Sequence, residues 1–125
     1  MGDTLAQTEA TVAASTASRG PPQIFVLLAD GVPVGTASFL AEDLEERPDL
    51  TPWLANVFVA PEARGRGHVR DLIAAVEAAA RAAAVPTLWL FTHDADRIYA
   101  RAGWRPVEAF EHRGLSTVLM RRDLT

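Results

Sequence analysis

The sequence predicts an α/β (α+β) domain built on a mixed, mostly antiparallel sheet with a central parallel strand pair and a helix after a Gly-rich turn. The parallel pair follows from the order apolar strand, Gly-rich turn, amphipathic helix and second apolar strand across residues 54–92, because a strand, helix, strand crossover returns the chain parallel to where it started. Antiparallel pairing follows from two β-rich pairs of segments, each joined by a dipeptide ending in Gly, Asp30-Gly31 and Arg113-Gly114.

The 125 residues suffice for one domain, and 49% hydrophobic composition supplies a core. A net charge of -4 gives no basic face of the size that nucleic-acid backbones require. With Cys at 0 there is no disulfide, thiolate metal site or cysteine nucleophile, and no metal is expected. No basic start with an apolar block marks a signal peptide, and no apolar run is long enough to span a bilayer, so no membrane partner is expected and the expected location is cytoplasmic.

Residues 1–22 are rich in Ala, Thr and Ser and end in Gly20-Pro21-Pro22, which reads as an N-terminal arm or one marginal helix preceding a domain over residues 23–125. Ile24 to Leu28 and Val32 to Leu40 form the first hairpin, with Pro33 favouring a looser turn. Glu42 to Asp49 is acidic, contains Pro48 and has no sustained period, so it is expected as a surface loop. Leu54 to Val59, between Pro52 and Pro61, is an interior strand. From Val69 to Ala84, Leu72, Ile73, Val76, Ala79, Ala80 and Ala83 recur at helical spacing, and Glu77 and Arg81 can pair one turn apart. Pro86 ends that helix, and Thr87 to Thr92 is a second buried strand. Asp94 is a candidate N-cap for a short helix from Ala95 to Ala102, with Gly103 just past its end. Pro106 to His112 and Leu115 to Arg121 complete the sheet.

The Gly-rich turn is the candidate binding element. Its glycines let backbone N–H groups approach an anion at a helix start, and Arg64 and Arg66 add full charges. A Walker-type loop is excluded, since the chain contains no lysine. A dinucleotide fingerprint fails where Arg70 stands in place of its third glycine.

Arg64-Gly65-Arg66-Gly67 after Val59-Ala60-Pro61-Glu62 resembles the acetyl-CoA pyrophosphate loop of the GNAT N-acetyltransferase superfamily, although Val69 replaces the Gly or Ala of the sixth position. Tyr99-Ala100-Arg101-Ala102-Gly103-Trp104 is similar to a second motif of that family, and the likeness covers roughly Gln23 to Leu124. The resemblance implies the acyl-CoA N-acyltransferase fold, in which the two parallel strands splay apart, with acetyl-CoA as cosubstrate. The pantetheine arm would lie along Asn56, Val57, Phe58 and Val59, and the pyrophosphate would meet Arg64, Gly65, Arg66, Gly67, His68 and Val69. His68 is either a phosphate donor or an exposed turn residue.

Acetyl transfer to a primary amine by direct attack in a ternary complex needs three groups: an oxyanion donor, for which the family offers a strand N–H near Val57 or Phe58; an acid for the leaving thiolate; and a base for the ammonium. Tyr99 matches the family's acid, while Trp104 reads as a core aromatic. His93 is the candidate base, with Asp49 and Glu42 behind it, or else a helix-entry residue beside Asp94. Trp53 and the acidic loop are expected on the acceptor side, where carboxylates would favour a cationic small-molecule or peptide amine. A homodimer is compatible with the family. The short N-terminus and Val69 also suggest an alternative, a noncatalytic acyl-CoA-binding or interaction module.

Overall fold

Two tight turns organise most of the sheet. In the computed structural model, which describes residues 10–14 and 20–125, Asp30 (φ 51°) and Gly31 (φ 82°) both occupy the left-handed region and join β2 (Gln23–Ala29) to β3 (Val32–Leu40). Left-handed φ at both central residues matches the twist of the flanking strands, so the turn stays at two residues despite Pro33. The irregularity falls just after Pro33, where Leu27 pairs with Gly35 but Leu28 with Pro33, leaving Val34 as a bulge. Arg113 (φ 52°) and Gly114 (φ 80°) repeat the same turn between β6 (Arg105–His112) and β7 (Leu115–Asp123).

β1 (Ala10–Ala14) corrects the expectation of an arm or marginal helix over these five residues, since it pairs antiparallel with β2 from Ala10 opposite Ala29 to Ala14 opposite Phe25. Val12 packs against the core while Thr11 and Ala13 are exposed, an alternation too short to register against an Ala-rich background. The rest of the expectation for residues 1–22 falls mainly on residues 1–9 and 15–19, outside the described residues.

After β3 come β4 (Trp53–Val59), one 3₁₀ turn over Pro61–Ala63, α1 (His68–Ala82), β5 (Thr87–Thr92) and α2 (Asp96–Arg101). The seven described strands form one sheet in the order β1-β2-β3-β4-β5-β7-β6, antiparallel except for β4 and β5. This is the mixed, mostly antiparallel sheet with one central parallel pair that the sequence predicts. β4 and β5 are in register only at Trp53 opposite Trp89, so the pair holds together at one end and opens toward the other.

Successive residues of β4 face opposite sides of the sheet. Leu54 joins the main core, where Leu72, Ile73, Val76 and Ala80 of α1 lie against Leu27, Phe39, Leu88 and Leu90. Trp53, fully buried, joins a second cluster with Leu44 and Leu119, edged by Trp89, Phe91 and Phe110. The acidic segment is thus a loop, as expected, but one anchored by a buried leucine. Trp53 is correspondingly core rather than acceptor-facing, its indole N–H donating to the Leu50 carbonyl at 2.8 Å.

Candidate active site

The opening between β4 and β5 depends on a bulge in β4. Thr36 pairs with Phe58 and Ser38 with Ala55, so β4 carries one residue more than β3 over this span, and Asn56 takes φ 53°. A bulge removes backbone groups from the ladder, and here it does so on the strand whose other edge has lost β5. A cleft of about 300 Å³ lies between the strands, lined by Asn56 and Val57 of β4, Phe91 and Thr92 of β5, and Asp43, His93 and Tyr99.

A second cleft of about 680 Å³ adjoins it and shares Val57. It runs over Phe58, Val59, Arg64, Gly65, Gly67, His68 and Val69, with Ile98 and Arg101 of α2 as the opposite wall. Gly67, the N-cap residue of α1, has φ 80°, and a Cβ built there would meet nothing within 4 Å. A side chain is therefore disfavoured by backbone conformation, while the space beside it stays open. The first α-helical hydrogen bond runs from the Asp71 N–H to the Gly67 carbonyl, which leaves the N–H groups of His68, Val69 and Arg70 without helical acceptors. An anion fits this cradle, held by those amides and by the helix dipole.

Arg64, though exposed, folds back on β4: its Nε donates to the Val59 carbonyl at 2.9 Å, and its guanidinium lies 5.8 Å from the Phe58 ring centroid. It braces the loop against the end of β4 and keeps charge at the cleft wall. Arg66 and Gly65 are exposed, whereas Val69 is half-buried against the core. His68 is buried, not an exposed turn residue; neither ring nitrogen has a hydrogen-bond partner, and Asp71 is 4.0 Å from Nδ1.

Tyr99 reaches the smaller cleft from α2 and is 8% exposed. Burial pushes its phenol up to about 12. The predicted cap of α2 is corrected: the helix begins one residue later than expected, and Asp94 makes no capping bond. Instead the Thr92 hydroxyl accepts from the Ala95 N–H at 3.1 Å, so Asp94 stays at the cleft rim. Gly103 (φ 100°) does end the helix, as the sequence implies.

His93 lines the smaller cleft, with Nδ1 at 2.9 Å from the Thr117 Oγ1. Its ring stacks on His112, 6.1 Å between centroids and 16° between planes, and His112 Nδ1 contacts the Glu46 carboxylate at 2.8 Å. That hydrogen bond holds the Glu46 carboxyl below the usual carboxylate range. Burial pushes the Asp43 carboxyl up, partly offset by His112. Sequence reasoning passed over His112, Thr117 and Asp43, which only the sheet order and the folded loop bring to His93. Of the alternative bases, Asp49 is engaged by Arg47 at 3.1 Å, and neither it nor Glu42 lines this cleft. Among the described residues, no group of three or more His, Asp or Glu side chains is placed to hold a metal ion.

The sequence matches the model of the Acetyltransferase (GNAT) family over residues 3–104, beginning closer to the N-terminus than the motifs indicate and stopping at Trp104. No curated protein matches it. Among solved structures, a GNAT family acetyltransferase from Elizabethkingia anophelis with acetyl-CoA bound shares the fold at a TM-score of 0.70 and 15% identity, covering 92% of this chain and 98% of that one. A GNAT family acetyltransferase from Staphylococcus aureus aligns at a TM-score of 0.67 and 18% identity, over 85% of this chain and 70% of the other. N-acetylglutamate synthase from Neisseria gonorrhoeae, complexed with coenzyme A and N-acetyl-glutamate, aligns at 0.66 and 20% identity, over 82% of this chain but 26% of its own.

Proposed function

The chain belongs to the Acetyltransferase (GNAT) family, and from that premise we propose that it is an N-acetyltransferase that moves the acetyl group of acetyl-CoA to a primary amine by direct attack in a ternary complex. The observation that carries this reading is the continuity of two clefts through Val57: an anion cradle at the start of α1 opens into the gap between β4 and β5, where Tyr99 and His93 stand.

The cofactor's contribution is an activated acetyl thioester. Its pyrophosphate fits the amides from Arg66 to Val69, with Arg64 and Arg66 neutralising charge, and its pantetheine arm fits the free edge of β4 from Asn56 to Val59. Val69 stands against the larger cleft where a smaller residue would leave more room, which is expected to weaken binding. The bulge at Asn56 supports Val57 or Phe58 as the N–H that meets the oxyanion formed when the amine adds to the carbonyl. Tyr99, whose phenol stays protonated well past neutral pH, gives its proton to the departing thiolate, and His93 takes the proton from the amine.

The acceptor we infer is a cationic amine, small or peptidic. Asp43 and Asp94 line the smaller cleft, and Glu42 and Glu45 line an adjoining groove of about 430 Å³ on the same loop as Asp43. Opposite charge in a concave, partly desolvated site raises the local concentration of such substrates. A screen of amine acceptors monitored by release of free thiol tests the proposal. Turnover with cationic amines, lost in Tyr99→Phe while acetyl-CoA still binds, is the expected result. Binding with no turnover on any acceptor would favour a noncatalytic acyl-CoA-binding module.

A further inference from the structure

The Thr117 hydroxyl has two short contacts and one hydrogen. Its Oγ1 is 2.9 Å from the Leu115 carbonyl oxygen and 2.9 Å from His93 Nδ1, and the residue is completely buried on β7. A carbonyl oxygen only accepts, so the hydroxyl hydrogen goes to Leu115, and both contacts are satisfied only if Nδ1 carries a hydrogen and donates it to Oγ1. We propose that Thr117 is a positioning residue that fixes His93 as the Nδ1–H tautomer, leaving the Nε2 lone pair to take the proton from the acceptor amine. The assignment of tautomer stands on geometry alone, whereas the catalytic consequence rests on the proposed N-acetyltransferase reading.

Three features make the arrangement specific. Thr117 belongs to the strand between β5 and β6, so its position relative to His93 is set by the ladder that pairs Thr92 with Val118. The stacked His112 limits the tilt of the His93 ring from one side and is itself oriented by Glu46. Phe91 meets both rings edge-on, at 6.4 Å from His93 and 5.2 Å from His112, so the pair is seated against an aromatic wall. The charged or titratable groups around the imidazole are His112 from β6, Glu46 behind it, Asp43 from the same loop, Asp94 beside it in the chain and Tyr99 from α2.

Long-range proton–nitrogen correlation NMR on nitrogen-labelled protein reads the tautomer directly and needs no acceptor. The expected spectrum shows Nδ1–H and a bare Nε2 for neutral His93, with Thr117→Val losing this bias and Thr117→Ser keeping it. In the acetyl-transfer assay, Thr117→Val is expected to lower kcat by about 10- to 100-fold and to displace the acidic limb of the pH profile, with KM for acetyl-CoA unchanged and Thr117→Ser restoring the rate. An Nε2–H tautomer in the wild type, or identical spectra in Thr117→Val, overturns the proposal. Failure of the underlying reading looks different: the spectra come out as expected but His93→Ala turns over normally, which removes the base role and the positioning role with it.

Discussion

The backbone N–H of Trp104 donates to the carbonyl of Tyr99 at 3.0 Å, and the two rings meet edge to face at 6.2 Å. Together with the bond from the Gly103 N–H to the Ala100 carbonyl at 3.1 Å, this closes α2 in a Schellman motif whose customary apolar contact is made by the proposed catalytic tyrosine itself. The Trp104 indole N–H then donates to Glu77 of α1 at 3.0 Å, tying the tyrosine's helix to the helix whose start is the proposed anion cradle. Fixed geometry at Tyr99 is thus a product of how its helix ends.

Trp104 is the first test of that linkage. Trp104→Phe keeps the ring but loses the bond to buried Glu77, at an expected cost of about 1–3 kcal/mol. Trp104→Ala also empties a core site, at an expected cost of about 3–5 kcal/mol. Urea unfolding monitored by circular dichroism measures both, and a Trp104→Phe variant as stable as the wild type would show that the indole N–H adds nothing.

Gly103→Ala is expected to destabilise by about 1–2 kcal/mol through left-handed strain alone. It also places a Cβ where the Arg122 guanidinium lies, but that flexible end can swing aside, so the backbone strain sets most of the cost. Adding Arg122→Ala removes the contact but not the strain; a double-mutant cycle with little rescue is expected, and full rescue would show that the contact, not the strain, sets the cost.

Much of this fold was legible in the sequence because its signals are local. Asp30-Gly31 and Arg113-Gly114 place both hairpins, and the 3.6-residue period of Leu72, Ile73 and Val76 places α1 and its buried face. What escaped depends on partners distant in sequence. β1 is a strand because β2 offers it an edge, and Leu44 is buried because Trp53 and Leu119 meet it from two other segments. Within the site, Gly65, Gly67 and Tyr99 stood out by motif, whereas Thr117, 24 residues from His93, meets it only because β7 inserts beside β5.

Alkaline stability offers a check on the burial of Tyr99. Its folded pKa of about 12 lies above the ordinary value of 10, so the folded state retains a proton that the unfolded state releases. Stability from this group is complete below pH 10 and is lost as pH rises from there through 12. Unfolding titrations over this range are expected to show a steeper decline in the wild type than in Tyr99→Phe, and superimposable declines would place the phenol in water.

Val69→Ala is expected to tighten acetyl-CoA binding by about 3- to 10-fold by opening the wall of the larger cleft, roughly 0.7–1.4 kcal/mol. It is also expected to lower stability by about 1 kcal/mol through lost packing. Calorimetric titration and thermal unfolding of one variant read both effects, and unchanged affinity would mean that the side chain stands clear of the ligand.

Calorimetric titration of the purified protein with acetyl-CoA, with ADP as control and Gly67→Glu in parallel, decides whether the start of α1 holds the cofactor. Saturable binding that weakens with salt and vanishes in a folded Gly67→Glu variant is the predicted result. A folded wild-type protein that binds no acetyl-CoA, or a Gly67→Glu variant that binds it equally well, would contradict the assignment of the α1 cradle as the cofactor site.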